Sequence, residues 1–236
     1  MILLGIDTAS DVTSIGLCKH GQPPYITSFP GPNNQLERIG VVLERIMVES
    51  GIKRSSISAL VVDVGPGLFS GLRVGVSFAK SFAGAIGVPI IPLTSLDILA
   101  FSQKNCPRLI VSVLDARRGE VFYSTYKKVP GGVTRLGPYL VASPENVAVE
   151  IESIDELTLL VGHGANRYQE VFSTIPQVQF AGLAMAYPLT AMMFELAQPM
   201  FYSEQFVSPE NVEVVYIRDA DAKVNFEVRK ALKKES

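Results

Sequence analysis

The chain runs through one order of elements twice, and that order narrows its possible folds more than any other feature. Residues 2–6 are an apolar run that closes on Asp7; a polar turn, Thr8-Ala9-Ser10-Asp11, leads into a loosely alternating stretch over 12–18. A strand, a tight polar turn and a second strand make a hairpin. Near residue 108 the pattern restarts, with Leu109–Leu114 closing on Asp115, the turn Ala116-Arg117-Arg118-Gly119, and alternation over 121–126. Later in each half a short apolar strand runs into a Gly-x-Gly turn and a helical segment. These are Val61–Val64 into Gly65-Pro66-Gly67, and Leu157–Val161 into Gly162-His163-Gly164. The two halves have negligible sequence identity, so the repeat is one of structure: an α/β unit, rich in strand, used twice.

The division falls at 107/108. Residues 1–107 and 108–218 are expected as two lobes, with a basic tail over 219–236. Between the first hairpin and the first glycine turn, Tyr25–Phe29 predicts a third strand. Leu36, Ile39, Leu43, Ile46 and Met47 recur at helical spacing, which predicts a helix over about 35–50 that stops at Gly51. Thr94-Ser95-Leu96-Asp97 opens a further helix with a capping pattern. Ser-Pro-Glu-Asn-Val occurs at 143–147 and again at 208–212, and reads as one cap used twice, Ser before Pro at the first helical position.

Composition excludes several classes of function. Two cysteines, Cys18 and Cys106, cannot build a disulfide framework, and two distant histidines, His20 and His163, cannot build a zinc hydrolase. Lys+Arg number 21 against 23 Asp+Glu, a net charge of −2, so any contact with a polyanion must come from a local patch or another subunit. The N-terminal run lacks a basic flank and is too short for a signal peptide. The apolar stretch 181–201 is interrupted by Pro188, Glu195 and Pro199, which predicts a buried helix rather than a membrane span. A cytoplasmic protein without a membrane role is expected.

Few residues offer chemistry. Gly65-Pro66-Gly67-Leu68-Phe69-Ser70-Gly71 is a glycine-rich loop feeding a helix, a place where backbone N–H groups can cradle phosphate. It lacks the Gly-Lys-Ser/Thr ending of a Walker loop. Asp7, Gly65, Gly67 and Ser70 are therefore candidates for weak ATP or ADP binding only, and no cofactor is required. Gly71, Gly75, Ala79 and Ala83 form a small stripe suited to close helix packing. Val74, Phe78, Phe82 and Ile86 form a bulky stripe beside it, a surplus that suggests a protein–protein surface. Asp7 and Asp115 occupy equivalent points of the halves. For Asp7, a role in holding Mg²⁺ or moving a proton weighs equally against bonding within its own turn. For Asp115 the local reading is favoured, because Arg117 and Arg118 adjoin it. His163 has no nucleophile motif beside it. A peptidase would need a metal constellation or a Gly-x-Ser-x-Gly elbow, and the chain has neither. The tail from 223 carries five basic against two acidic residues, a site where RNA phosphate could bind but where a solvated terminus is the simpler reading.

Two long segments resemble a known family. Gly65-Pro66-Gly67-Leu68-Phe69-Ser70-Gly71-Leu72-Arg73-Val74-Gly75 is similar to the signature loop and helix of the bacterial TsaB (YeaZ) proteins. Asp115-Ala116-Arg117-Arg118-Gly119-Glu120-Val121-Phe122 matches their second signature. Met1–Ser10, Ser95-Leu96, Gly162–Ala165 and Tyr216-Ile217-Arg218 follow in the family's order, so the resemblance spans 1–218. It implies an actin-like ATPase (ASKHA) fold of two RNase H-like lobes. It also implies a non-catalytic subunit in the synthesis of threonylcarbamoyladenosine on tRNA. Such a subunit pairs with the transferase TsaD, meets the ATPase TsaE, reaches tRNA through the complex, and forms homodimers when alone. No catalytic or metal-binding residue is expected: the first helix has no histidine, and Asn33-Asn34-Gln35 stands where many family members keep one. The interface candidates are Leu36, Ile39, Leu43, Ile46 and Met47 on the first helix, with Val74, Phe78 and Phe82 on the second. An ATP-dependent phosphotransferase of the actin-like class is the alternative.

Overall fold

The computed structural model describes residues 1–31 and 34–218. Two sheets form the framework. The first holds β1 (Ile2–Asp7), β2 (Val12–Lys19), β3 (Tyr25–Pro30), β4 (Ala59–Asp63) and β5 (Ile90–Leu93), in the order β3-β2-β1-β4-β5. β1, β2 and β3 pair antiparallel as a meander; β4 and β5 join β1 in parallel. The second sheet holds β6 (Leu109–Arg117), β7 (Glu120–Val129), β8 (Gly132–Arg135), β9 (Leu140–Ala142), β10 (Thr158–Val161) and β11 (Val178–Phe180). Its order is β11-β10-β6-β7-β8, with β9 also on β7. Again the first two strands are an antiparallel hairpin and the later two are parallel. One topology thus occurs twice, as the sequence pattern required.

Helices cover both faces of both sheets. α1 (Gln35–Ser50) and α2 (Phe69–Ile86) lie on the outer face of the first sheet; α4 (Pro144–Ile154), α5 (His163–Arg167) and α6 (Gln169–Phe172) cover the outer face of the second. Between the sheets lie α3 (Ser95–Ser102) and α7 (Thr190–Tyr202). Each has crossed to the other half's sheet. Leu96, Leu99 and Ala100 of α3 pack on Ile110, Leu114 and Tyr126 of the second sheet. Met193, Phe194 and Ala197 of α7 pack on Leu3, Val61 and Ile91 of the first. Val207 also bridges to Ile90, and Val212 enters the core under α1 and α2. Packing therefore exchanges elements across the 107/108 division.

Local chemistry explains the element ends. α1 stops at Gly51, whose φ of 66° is the left-handed cap that glycine supplies. Thr94 caps α3, accepting the Asp97 N–H at 3.2 Å. Ser143 caps α4 in the same manner through Asn146 N–H. The second Ser-Pro-Glu-Asn copy starts only a short 3-10 turn, Pro209–Asn211, where Asn211 Nδ2 donates to Ser208 Oγ. The late apolar stretch forms α7 despite Pro199 within it. Among the described residues, no helix is long and apolar enough to cross a membrane.

One expectation is corrected here. Ile39, Leu43 and Ile46 are the core face of α1, buried against Leu4, Ile6, Ile15 and Leu17. A helical stripe that a sheet must cover cannot also meet a partner. Of the helix-one candidates, Leu36 is exposed and Met47 is half-buried; Val74, Phe78 and Phe82 on α2 are half-buried too.

Candidate functional site

The strand ends of the two halves face each other across a cleft, which is where the duplication places the candidate site. β1 ends at Asp7 and β4 at Asp63, and both carboxyls are completely enclosed (1% and 0% exposed). They are hydrogen-bonded to each other. Asp7 also accepts the Ala9 N–H at 2.9 Å. Asp63 accepts the Gly65 N–H at 2.8 Å and the Ser95 hydroxyl at 2.7 Å. Burial raises the proton affinity of both, and for Asp7 the neighbouring Asp63 charge raises it further. Two buried carboxylates this close cannot both ionise cheaply, which favours a form with a proton between them.

The sequence pairs Asp7 with Asp115 by symmetry; the structure pairs it with Asp63 by contact. Asp115 instead has basic company. Its Oδ1 accepts the Arg117 N–H at 3.0 Å, and its Oδ2 lies 3.5 Å from both Arg117 and Arg167. Tyr168 donates its hydroxyl to the same carboxylate at 3.3 Å. The local reading of Asp115 therefore describes it well, with Arg167 from α5 as a partner beyond the turn. His163 joins this cluster. Its Nε2 accepts the Asp115 N–H at 3.3 Å, its ring stacks on Tyr187 with centroids 5.3 Å apart, and burial lowers its affinity for a proton.

The cleft is shut. Arg117, from the hairpin turn of the second half, reaches Asp11 in the equivalent turn of the first at 3.3 Å. Ala9, Gly67, Ser95, Asp115 and His163 line a space of only about 10 Å³, enough for one water molecule. The glycine loop contributes to the closure. A Cβ on Gly67 would sit 2.2 Å from the Ala9 carbonyl oxygen, and one on Gly71 would sit 2.1 Å from that of Thr8. Thr8 Oγ1 donates to Gly71 O at 2.8 Å. The small stripe of α2 thus serves close approach to the β1–β2 turn. Of the four nucleotide candidates, Gly67 lines the cleft, Asp7 and Gly65 are buried behind it, and Ser70 lies exposed on the first turn of α2. Among the described residues there is no group of three or more His, Cys, Asp or Glu side chains placed to hold a metal ion.

Sequence reasoning missed Asp63. The signal was present: an aspartate inside the apolar run Leu60-Val61-Val62-Asp63-Val64 must be buried with the strand and needs a partner. The basic tail and Asn33 lie outside the described residues.

Two sheets of this repeated topology, acidic strand ends facing across a cleft, and a helix exchanged from each half define the actin-like ATPase (ASKHA) fold. Comparison with known proteins narrows the class. Residues 32–225 match the family model of "TsaD: tRNA N6-adenosine threonylcarbamoyltransferase". The chain belongs to this TsaD family, on its TsaB (YeaZ) branch. It is 26% identical over 227 residues to the tRNA threonylcarbamoyladenosine biosynthesis protein TsaB of Haemophilus influenzae, covering 93% of this chain and 94% of that protein. The protein of the same name from Escherichia coli K12 is 28% identical over 222 residues, covering 93% and 95%. The solved structure of YeaZ from Pseudomonas aeruginosa superposes with a TM-score of 0.77 at 25% identity, over 91% of this chain and 99% of that one.

Proposed function

We propose that the chain is a scaffold subunit of the machinery that makes tRNA threonylcarbamoyladenosine in the cytoplasm. It has no catalytic residues of its own. It pairs with a TsaD-type transferase, works with a TsaE-type ATPase, reaches tRNA through the assembly, and self-associates when alone. The names of its relatives support the pathway. One observation carries the scaffold role: the outward seam where α2 adjoins α1. Val74, Phe78 and Phe82 stand half out of the core there, the two phenylalanine rings stacked at 5.7 Å and 17°. Met47 is half-buried on α1, and Leu36 is 58% exposed. Aligned aromatic and aliphatic side chains left half in water favour a protein partner.

The alternative, an ATP-dependent phosphotransferase, would need its nucleotide between the lobes. The closed cleft and the mutual pairing of Asp7 with Asp63 speak against it. No cofactor is required under the scaffold reading.

Light scattering tests it. Wild-type chain mixed with its TsaD-type partner should give a heterodimer mass, and Phe78→Asp should leave both as separate species at the same concentrations. A charge buried at the centre of an apolar contact costs several kcal/mol, roughly a hundredfold or more in affinity. A chain that ignores the partner, or that transfers phosphate from ATP by itself, would sink the reading.

A further inference from the structure

Across Pro66 and Gly67 from the shut cleft lies a second hollow, of about 240 Å³. Leu72, Val215 and Ile217 give it an apolar lining, and three aromatic rings, Phe69, Phe122 and Tyr216, stand in its walls. Phe69 and Tyr216 are 46% and 50% exposed, with ring centroids 5.7 Å apart and planes tilted by 42°. Two arginines complete it. The Arg73 guanidinium sits 4.1 Å over the Phe69 ring and has no carboxylate partner among the described residues. Arg218 is ion-paired with Glu120, which holds it 6.0 Å from the Phe122 ring.

Open rings beside guanidinium planes are what a nucleobase stacks on, and an arginine without a counter-ion is what a phosphate pairs with. The volume falls below the usual range for a whole drug-sized ligand. It suits a base and part of its sugar, with the phosphate at the open rim. We propose that this hollow binds one nucleotide, its base on Phe69 and Tyr216 and its phosphate at Arg73. The nucleotide can be free or an unpaired unit of an RNA strand. The hollow shares no residue with the seam of Leu36, Met47, Val74, Phe78 and Phe82, so the proposal stands apart from the scaffold reading.

The test is calorimetric titration of the full chain with AMP and, separately, with a short unstructured adenylate oligoribonucleotide. At least one should bind saturably. Phe69→Ala, Tyr216→Ala and Arg73→Glu should each weaken it about tenfold or more, and Phe78→Asp should leave it unchanged. All these side chains are at least partly exposed, and Arg73→Glu on the helix surface keeps the test valid if a ring variant misfolds. Equal binding of AMP and the oligonucleotide assigns the hollow to a free nucleotide; binding of the oligonucleotide alone assigns it to RNA. Binding of neither at millimolar concentration, or binding that all three variants leave intact, overturns the proposal. Loss of the transferase partner with intact nucleotide binding would fail the scaffold reading alone.

Discussion

Asp63→Asn raises the melting temperature of the chain at pH 8 and leaves it nearly unchanged at pH 4. The introduced carboxamide oxygen, in the place of Oδ1, can still accept the Gly65 N–H and the Ser95 hydroxyl, and the amide nitrogen can donate to the Asp7 carboxyl. The sign follows from where each state holds protons. Burial lifts Asp63 from its ordinary value of 3.8 to about 7. The folded chain therefore binds a proton between those limits that the unfolded chain has already released. Its stabilisation is complete below about pH 4 and is lost as pH rises through about 7. In the asparagine variant that step is gone, and of the pair only the Asp7 carboxyl still titrates. The variant's advantage at pH 8 should be on the order of 3 kcal/mol, or roughly 5–10 °C in a chain this size. Circular-dichroism melts at pH 4, 6 and 8 measure it. Parallel pH profiles for the two proteins would show that the pair holds no proton.

Gly71→Ala should be the most damaging conservative change in the first lobe. The added methyl would lie 2.1 Å from the Thr8 carbonyl oxygen, a backbone atom that cannot swing aside. Either α2 lifts off the hairpin turn or the Thr8–Gly71 hydrogen bond breaks. A cost of about 4 kcal/mol or more is expected, large among single substitutions. Gly84→Ala in the same helix is the matched control. A Cβ there meets nothing within 4 Å, and alanine is the better helix former by about 1 kcal/mol. Urea unfolding should move the two midpoints in opposite directions. A Gly71→Ala midpoint within error of wild type would mean that the close approach is not rigid.

Most of the framework was legible because its signals are periodic. The β1–β2 hairpin, α1 up to Gly51, and the Asp-turn motif of the second half all appear where the apolar spacing put them. β8 and β9 carry no such signal: both are short and largely solvent-facing, and only pairing with β7 makes them strands. The candidate site was legible in part. Asp7 and the glycine loop stood out by pattern, whereas Asp63 did not, because its role depends on β4 lying beside β1. That neighbour relation is long-range and has no local spacing. The Leu36–Met47 stripe shows a different limit. Periodicity finds the apolar face of a helix but not which flank of it the sheet leaves uncovered.

The exchange of α3 and α7 ties the two lobes into one cooperative unit. Cut between the halves, the first would keep a sheet whose inner face, Leu3, Val61 and Ile91, had lost its cover, and the second would lose the cover of Ile110 and Leu114. Neither fragment could bury enough apolar surface to offset its chain entropy. The nascent first lobe must therefore wait, sticky on one side, until residues near 200 have been synthesised. Late α7, far along the chain from β1, is the clasp that completes the first sheet, while α3, made long before, waits to cover the second.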